Sequence, residues 1–283
     1  MEEWDRARRV RRPSQFLTFD IQDKKRFLRQ LAFELSSKTA ASFFPTDLVS
    51  EVFEKISSGF EGIEGEDMRE LFRELETHTG LFLYAGHGYE FQHKTMQEFL
   101  FALHLYEFPV VPTDERFLLS HPNELALTVS FNDNPTMYLA YLVMERFEWS
   151  FYDEDFIAVF LDRLILEEVK FRIHPYLGIC AIKIYEGIRG YNARGKRSPK
   201  ELLAHFYRLL ELDNAIGRSL AQLQNSYEIE GFDAKKKSIR LRWHRPVDSA
   251  LNYREPKELN APWDFIGYLA PDGVGSLNRL SDD

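Results

Sequence analysis

Through most of the chain apolar positions recur every three or four residues, and in two short stretches that spacing drops to two. Phe27, Leu28, Leu31, Ala32 and Leu35 fall on one stripe, while Lys24, Lys25 and Arg29 face away. That spacing predicts an amphipathic helix. Leu48, Val49, Val52, Phe53 and Ile56 repeat it after Pro45 and Thr46, a helix start signal. Met68, Leu71, Phe72 and Leu75 make a third stripe, which ends near Gly80. Residues 81–84 and 89–93, joined through Ala85-Gly86-His87-Gly88, then read as a β-hairpin. Helical spacing resumes with Met96, Phe99, Leu100 and Leu103, and Thr95 and Glu98 stand in capping-box relation at its start. Three helices, a hairpin and a further helix predict a winged helix.

Beyond Pro109 and Pro112 the spacing predicts helices over 123–129, 135–147, 153–172, 176–188 and 199–212. Ser198 as N-cap and Pro199 at the first helical position support the last of these. From Tyr227 the pattern turns strand-like over 227–232 and 238–244, and a loop-rich tail follows. The expected fold is mainly α: a winged-helix domain, α with a β-hairpin, followed by a mostly helical C-terminal domain with a small β element. The expected boundaries are a linker helix over 1–20, the winged helix over 21–108 and the C-terminal domain over 109–283. No repeat of fixed period is present, although successive helical pairs would suit an irregular helical stack.

Composition narrows the setting. Hydrophobic residues make up 44% and charged residues 29%, which places the chain among globular rather than disordered sequences. The single Cys180 has no partner for an internal disulfide, which fits a reducing compartment. No apolar run approaches the roughly 18 residues of a membrane helix, and the N-terminus lacks the apolar stretch of a secretory signal. The expected location is cytoplasmic, with no membrane partner. A net charge of −9 argues against wholesale nucleic-acid binding. Basic runs nevertheless occur, one from Arg6 to Arg12 and another from Lys235 to Arg245.

Catalytic chemistry is thin. Gly190-Tyr-Asn-Ala-Arg-Gly195-Lys196 imitates a phosphate-binding loop, but Arg197 stands where a hydroxyl must hold Mg²⁺. The helix start at Ser198-Pro199 also comes too late for its N–H groups to converge on phosphate. Upstream, Lys183 and Glu186 fall where a buried strand should be apolar, and 156–162 reads as a buried helix rather than an acidic Mg²⁺ strand. Cys180 lies in an apolar context and reads as a core residue. His78 and His87 flank the hairpin without a Cys or carboxylate at zinc-ligand spacing, and read as exposed loop and turn residues. No catalytic residue, metal site or intrinsic cofactor is expected, so the chain alone is not expected to be an enzyme.

The stretch Tyr-Glu-Phe-Gln-His-Lys-Thr-Met-Gln-Glu-Phe-Leu-Phe-Ala-Leu-His-Leu, from Tyr89 to Leu105, resembles the end of the winged helix in NACHT-type STAND NTPases. There a Phe-x-His-x-Thr-Phe-Gln-Glu-Tyr-Leu-Ala-Ala pattern follows the wing. Thr79-Gly80-Leu81-Phe82 resembles that family's entry to the wing, Trp4-Asp5-Arg6-Ala7-Arg8 its linker, and Lys25 to Ala32 the first helix of its winged helix. Phe101 ahead of Ala102 departs from the small residues usual in the family at that point.

The resemblance covers about the first 107 residues. It implies an ADP/ATP switch in which the winged helix closes over a P-loop domain that this chain does not contain. His93 takes the position whose imidazole contacts the β-phosphate of ADP, with Thr95, Gln97 and Glu98 as structural support. ADP or ATP would thus be held only through an upstream NACHT module, in cis in a longer protein or in trans. The region after 109 would recognise an unknown trigger, as in defence signalling.

Without the resemblance, His93 reads as a histidine that merely ends a strand and precedes a helix. Two alternatives stand beside the switch: a winged-helix nucleic-acid binder and a protein-interaction adaptor. Against the former, the helix over 66–77 carries Glu66, Asp67, Glu70, Glu74 and Glu76, which repel phosphate. The better basic candidate is the strand at 238–244, where alternation puts Arg240, Arg242 and His244 on one face. That face reads either as an anion- or ligand-binding surface or as a solvated edge that resists aggregation.

Overall fold

The computed structural model describes residues 16, 18–39, 41–63, 68–108, 111–147, 153–190, 199–212, 214–219, 227–233 and 238–243. The chain divides into two compact units, Met1–Phe108 and Pro109–Asp283.

The first unit opens with α1, Ile21–Lys38, whose start is fixed by Asp20. The Asp20 carboxylate accepts from the backbone N–H of Gln22 at 2.7 Å and of Asp23 at 2.9 Å, satisfying two donors that the helix itself cannot. Next come β1 (Phe43–Pro45), α2 (Thr46–Ser57), α3 (Met68–Thr79), β2 (Phe82–Tyr84), β3 (Gly88–Phe91) and α4 (Lys94–Glu107). The three strands form an antiparallel sheet in the order β1-β3-β2.

The hairpin β2–β3 is where alternation places it. β1 is an addition, three residues that convert the hairpin into a sheet by pairing Phe44 with Tyr89. Gly88 makes this pairing possible: a Cβ there would collide with the carbonyl oxygen of Phe44. Gly86, at φ +73°, turns the hairpin in a conformation that side-chain-bearing residues rarely adopt.

Aromatic rings fill the core of this unit. Phe27 meets Phe19, Phe53 and Phe60 edge-on, with centroids 5.5–6.2 Å apart, and Phe72 continues the mesh to Phe82 and Tyr89 in the wing at 5.3 and 5.1 Å. Edge-to-face pairs at this spacing add to what burial alone supplies. Phe16 and Phe19, ahead of α1, are buried in the same cluster.

The second unit holds α5 (Glu115–Ser120), α6 (Pro122–Phe131), α7 (Pro135–Tyr141), a π-helical turn (Leu142–Arg146), α8 (Glu154–Leu166), α9 (Pro175–Gly190) and α10 (Pro199–Leu212). Within it α6 packs on α8, α8 on α10 and α7 on α9. The helix expected over 153–172 stops at Leu166: Glu168 takes φ +49° and the chain runs on without regular structure, with Val169 and Phe171 still buried. Their burial sustains the apolar spacing past the point where the backbone leaves the helix. Residues 180–188 lie inside α9, so no strand precedes the loop that imitates a phosphate-binding motif. The loop itself, 191–198, lies outside the described residues.

The strands β4 (Tyr227–Asp233) and β5 (Ser238–Trp243) pair antiparallel, with a register shift between Ile229 and Gly231. Arg240 and Arg242 lie on β5. Their side chains, His244 and the lead-in over 1–15 lie outside the described residues. Among the described residues no helix is long and apolar enough to cross a membrane.

Candidate functional site

The wing ends at Phe91 and α4 begins at Lys94, so the junction is two residues long. His93 is the N-cap: its backbone is extended (φ −139°, ψ 138°) and its carbonyl accepts from the N–H of Met96 at 3.0 Å and of Gln97 at 3.3 Å. The His93 side chain makes no capping hydrogen bond, and none from another side chain is found among the described residues. The capping box expected of Thr95 and Glu98 is therefore not formed. The helix begins one residue before Thr95, so that residue lies inside the first turn and exposed, and Glu98 lies buried a turn later.

Gln92, His93, Lys94 and Thr95 are all exposed. The His93 side chain makes no hydrogen bond or aromatic contact among the described residues. Behind this rim Gln97 is buried and donates through Nε2 to Ser36 Oγ on α1 at 2.8 Å, while its Oε1 has no hydrogen-bond partner among the described residues. Gln97 thus braces α4 against α1, four residues on from His93. The unmet N–H groups at an uncapped helix start carry partial positive charge. An imidazole and an ammonium beside them suit an incoming anion.

Elsewhere in this unit polar groups serve the interior. Lys24 Nζ on α1 meets Glu74 Oε1 on α3 at 2.7 Å, both side chains being about nine-tenths buried. Glu74 therefore faces inward rather than repelling phosphate, and the exposed positions of α3 are Arg69, Glu70, Arg73 and Thr77. His78, expected in an exposed loop, sits half-buried in the last turn of α3, with Nδ1 3.7 Å from Glu74 Oε1. At the far end of α4, His104 stacks on Phe33 at 4.4 Å and meets Phe108 at 5.1 Å. Burial pulls its imidazole down to about 4, with Glu34 opposing and Arg29 adding to the shift.

In the second unit burial pushes the Cys180 thiol up to about 12, which leaves it protonated and unreactive. His205 Nδ1 lies 2.6 Å from Asp162 Oδ1, a pairing between α10 and α8 that sequence spacing did not signal. Among the described residues no three His, Cys, Asp or Glu side chains gather as a metal site would require.

Residues 1–105 match the family described as "Winged helix-turn-helix domain C-terminal to NACHT". This part of the chain is a NACHT-associated winged helix. No curated protein and no solved structure matches the chain. In the family this winged helix follows a NACHT module, and that module is the partner the match implies. The exposed junction of the NACHT-associated winged helix is the end of β3 and the first turn of α4.

Proposed function

We propose that the winged helix gates an ADP/ATP switch held by a NACHT P-loop module, in cis or in trans, and that residues beyond 109 sense the trigger that opens it. The observation that carries this reading is His93. The residue is exposed at the helix start, is followed by Lys94, and its side chain makes no hydrogen bond or ring contact among the described residues.

An imidazole N–H directed at a phosphate oxygen makes a charge-assisted hydrogen bond, and the first-turn N–H groups of α4 add to it. Such a bond exists only when the winged helix sits over the nucleotide. ADP and ATP offer that contact differently in the closed and open forms, and only such a difference can move the equilibrium. On this reading the nucleotide belongs to the NACHT module, hydrolysis is that module's chemistry, and this chain supplies control. Defence signalling is the setting that such a sensor arrangement suits.

The test is binding of the whole chain to its cognate NACHT module loaded with ADP or with ATP, followed by calorimetry. Tighter binding of the ADP form is expected, and His93→Ala should remove the difference between nucleotides while leaving the chain folded. Equal affinity for the two forms, or a difference that survives in His93→Ala, defeats the proposal. A nucleic-acid role would instead appear as salt-dependent binding to random DNA.

A further inference from the structure

Next to the π-helical turn of the second unit, hydrogen-bond donors outnumber acceptors. Tyr138 and Tyr141 are fully buried, and their rings lie 5.9 Å apart. The Tyr141 oxygen accepts from the backbone N–H of Val111 at 3.2 Å and from Arg146 Nε at 2.7 Å. Both of its lone pairs are thereby used, and its own O–H has no acceptor among the described residues.

The Tyr138 hydroxyl has no hydrogen-bond partner among the described residues. The guanidinium of Arg146 lies over the Tyr141 ring at 5.0 Å, and its two terminal nitrogens make no hydrogen bond or ion pair among the described residues. The Tyr138 ring thus neighbours the Tyr141 ring, over which the Arg146 guanidinium sits. Leaving a buried hydroxyl unmet is costly, and a π-turn marks a helix displaced from its regular path, often at a functional site.

We propose that Tyr138, Tyr141 and Arg146 form a binding site for a small oxyanion, the carboxylate or phosphate group of a ligand. Two phenolic O–H groups and a guanidinium are all donors, one of them charged, and a species that only accepts satisfies them together. A single water does this less well, because it brings two hydrogens that need acceptors of their own. Arg146 is half-buried, so the cluster reaches the surface through that side chain. This site lies in the second unit and does not depend on the gate at His93.

The experiment is thermal melting of the full chain in inorganic phosphate, acetate or chloride at one pH and ionic strength. Phosphate or acetate should raise the melting temperature above its value in chloride, and whichever does so names the head group. Arg146→Gln should abolish the rise, and Tyr138→Phe should weaken apparent affinity about tenfold, the effect of one lost hydrogen bond. Tyr138→Phe should also melt no lower than the native chain in chloride, since it removes a hydroxyl that has no partner. The proposal is overturned by a native chain indifferent to the anion, by an equal rise in both variants, or by a drop for Tyr138→Phe in chloride. The last result would mean that water already serves the hydroxyl.

Discussion

Two parts of the winged helix use polar side chains in opposite ways. Between α1 and α3, Lys24 and Glu74 are buried against each other at 2.7 Å, and their charges hold one packing arrangement. At the start of α4, His93 and Lys94 stand exposed and the first-turn N–H groups meet no side-chain cap among the described residues. The first pair is needed by the fold and is closed to any partner. The second is dispensable to the fold and open to one. Substitutions should therefore separate stability from binding almost completely.

The largest effect is expected from Glu74→Leu, which removes the carboxylate 2.7 Å from the buried Lys24 ammonium and should cost about 3–5 kcal/mol in urea unfolding. Adding Lys24→Met should recover most of that loss; no recovery would show that the pair acts through something other than charge. Acid should act next. The folded His104 is neutral down to about 4, whereas an unfolded histidine takes up a proton below about 6.5. Its contribution is thus complete above about pH 6.5 and is lost as pH falls toward 4, by about 1–2 kcal/mol at pH 5. The loss should be read as the difference from His104→Phe, in which this part of the acid sensitivity disappears. His174, also held down by burial, acts in the same direction in the second unit.

A smaller effect is expected from Asp20→Ala, which uncaps α1 and should lower stability by about 1 kcal/mol in the same unfolding series. The smallest is expected from His93→Ala, within about 0.5 kcal/mol of the native chain. A loss comparable to that of Asp20→Ala would place His93 in the structural group and erase the contrast.

The helices of the winged helix were legible because each shows several apolar residues at helical spacing, and the hairpin because Gly86 and Gly88 punctuate two alternating runs. β1 was not, since Phe43-Phe44-Pro45 is too short to display alternation and forms only by pairing with β3. The six residues of α5 were passed over for similar reasons. The pair Thr95 and Glu98 misled because a capping box is read from spacing, while the backbone at His93 had already set the helix start one residue ahead of Thr95. Glu74 misled in the reverse sense: a carboxylate is read as solvated until a buried lysine is known to face it. His93 itself was found through the motif around it, and its exposure could not have been read from sequence. The cluster at Tyr138 carried no signal, because a π-turn and an unmet hydroxyl arise only from three-dimensional packing.

Thr46, the first residue of α2, donates through both its backbone N–H and its hydroxyl to the carbonyl of His87 in the hairpin turn, at 3.4 and 3.0 Å. The tip of the wing is therefore tethered from the side opposite β2, and Phe43 lies against the His87 ring at 4.9 Å. A hairpin tethered at its tip in this way behaves as a spoke rather than a flap. Force applied to the exposed Tyr84 would be delivered to α2 as torque instead of being absorbed by bending of the loop.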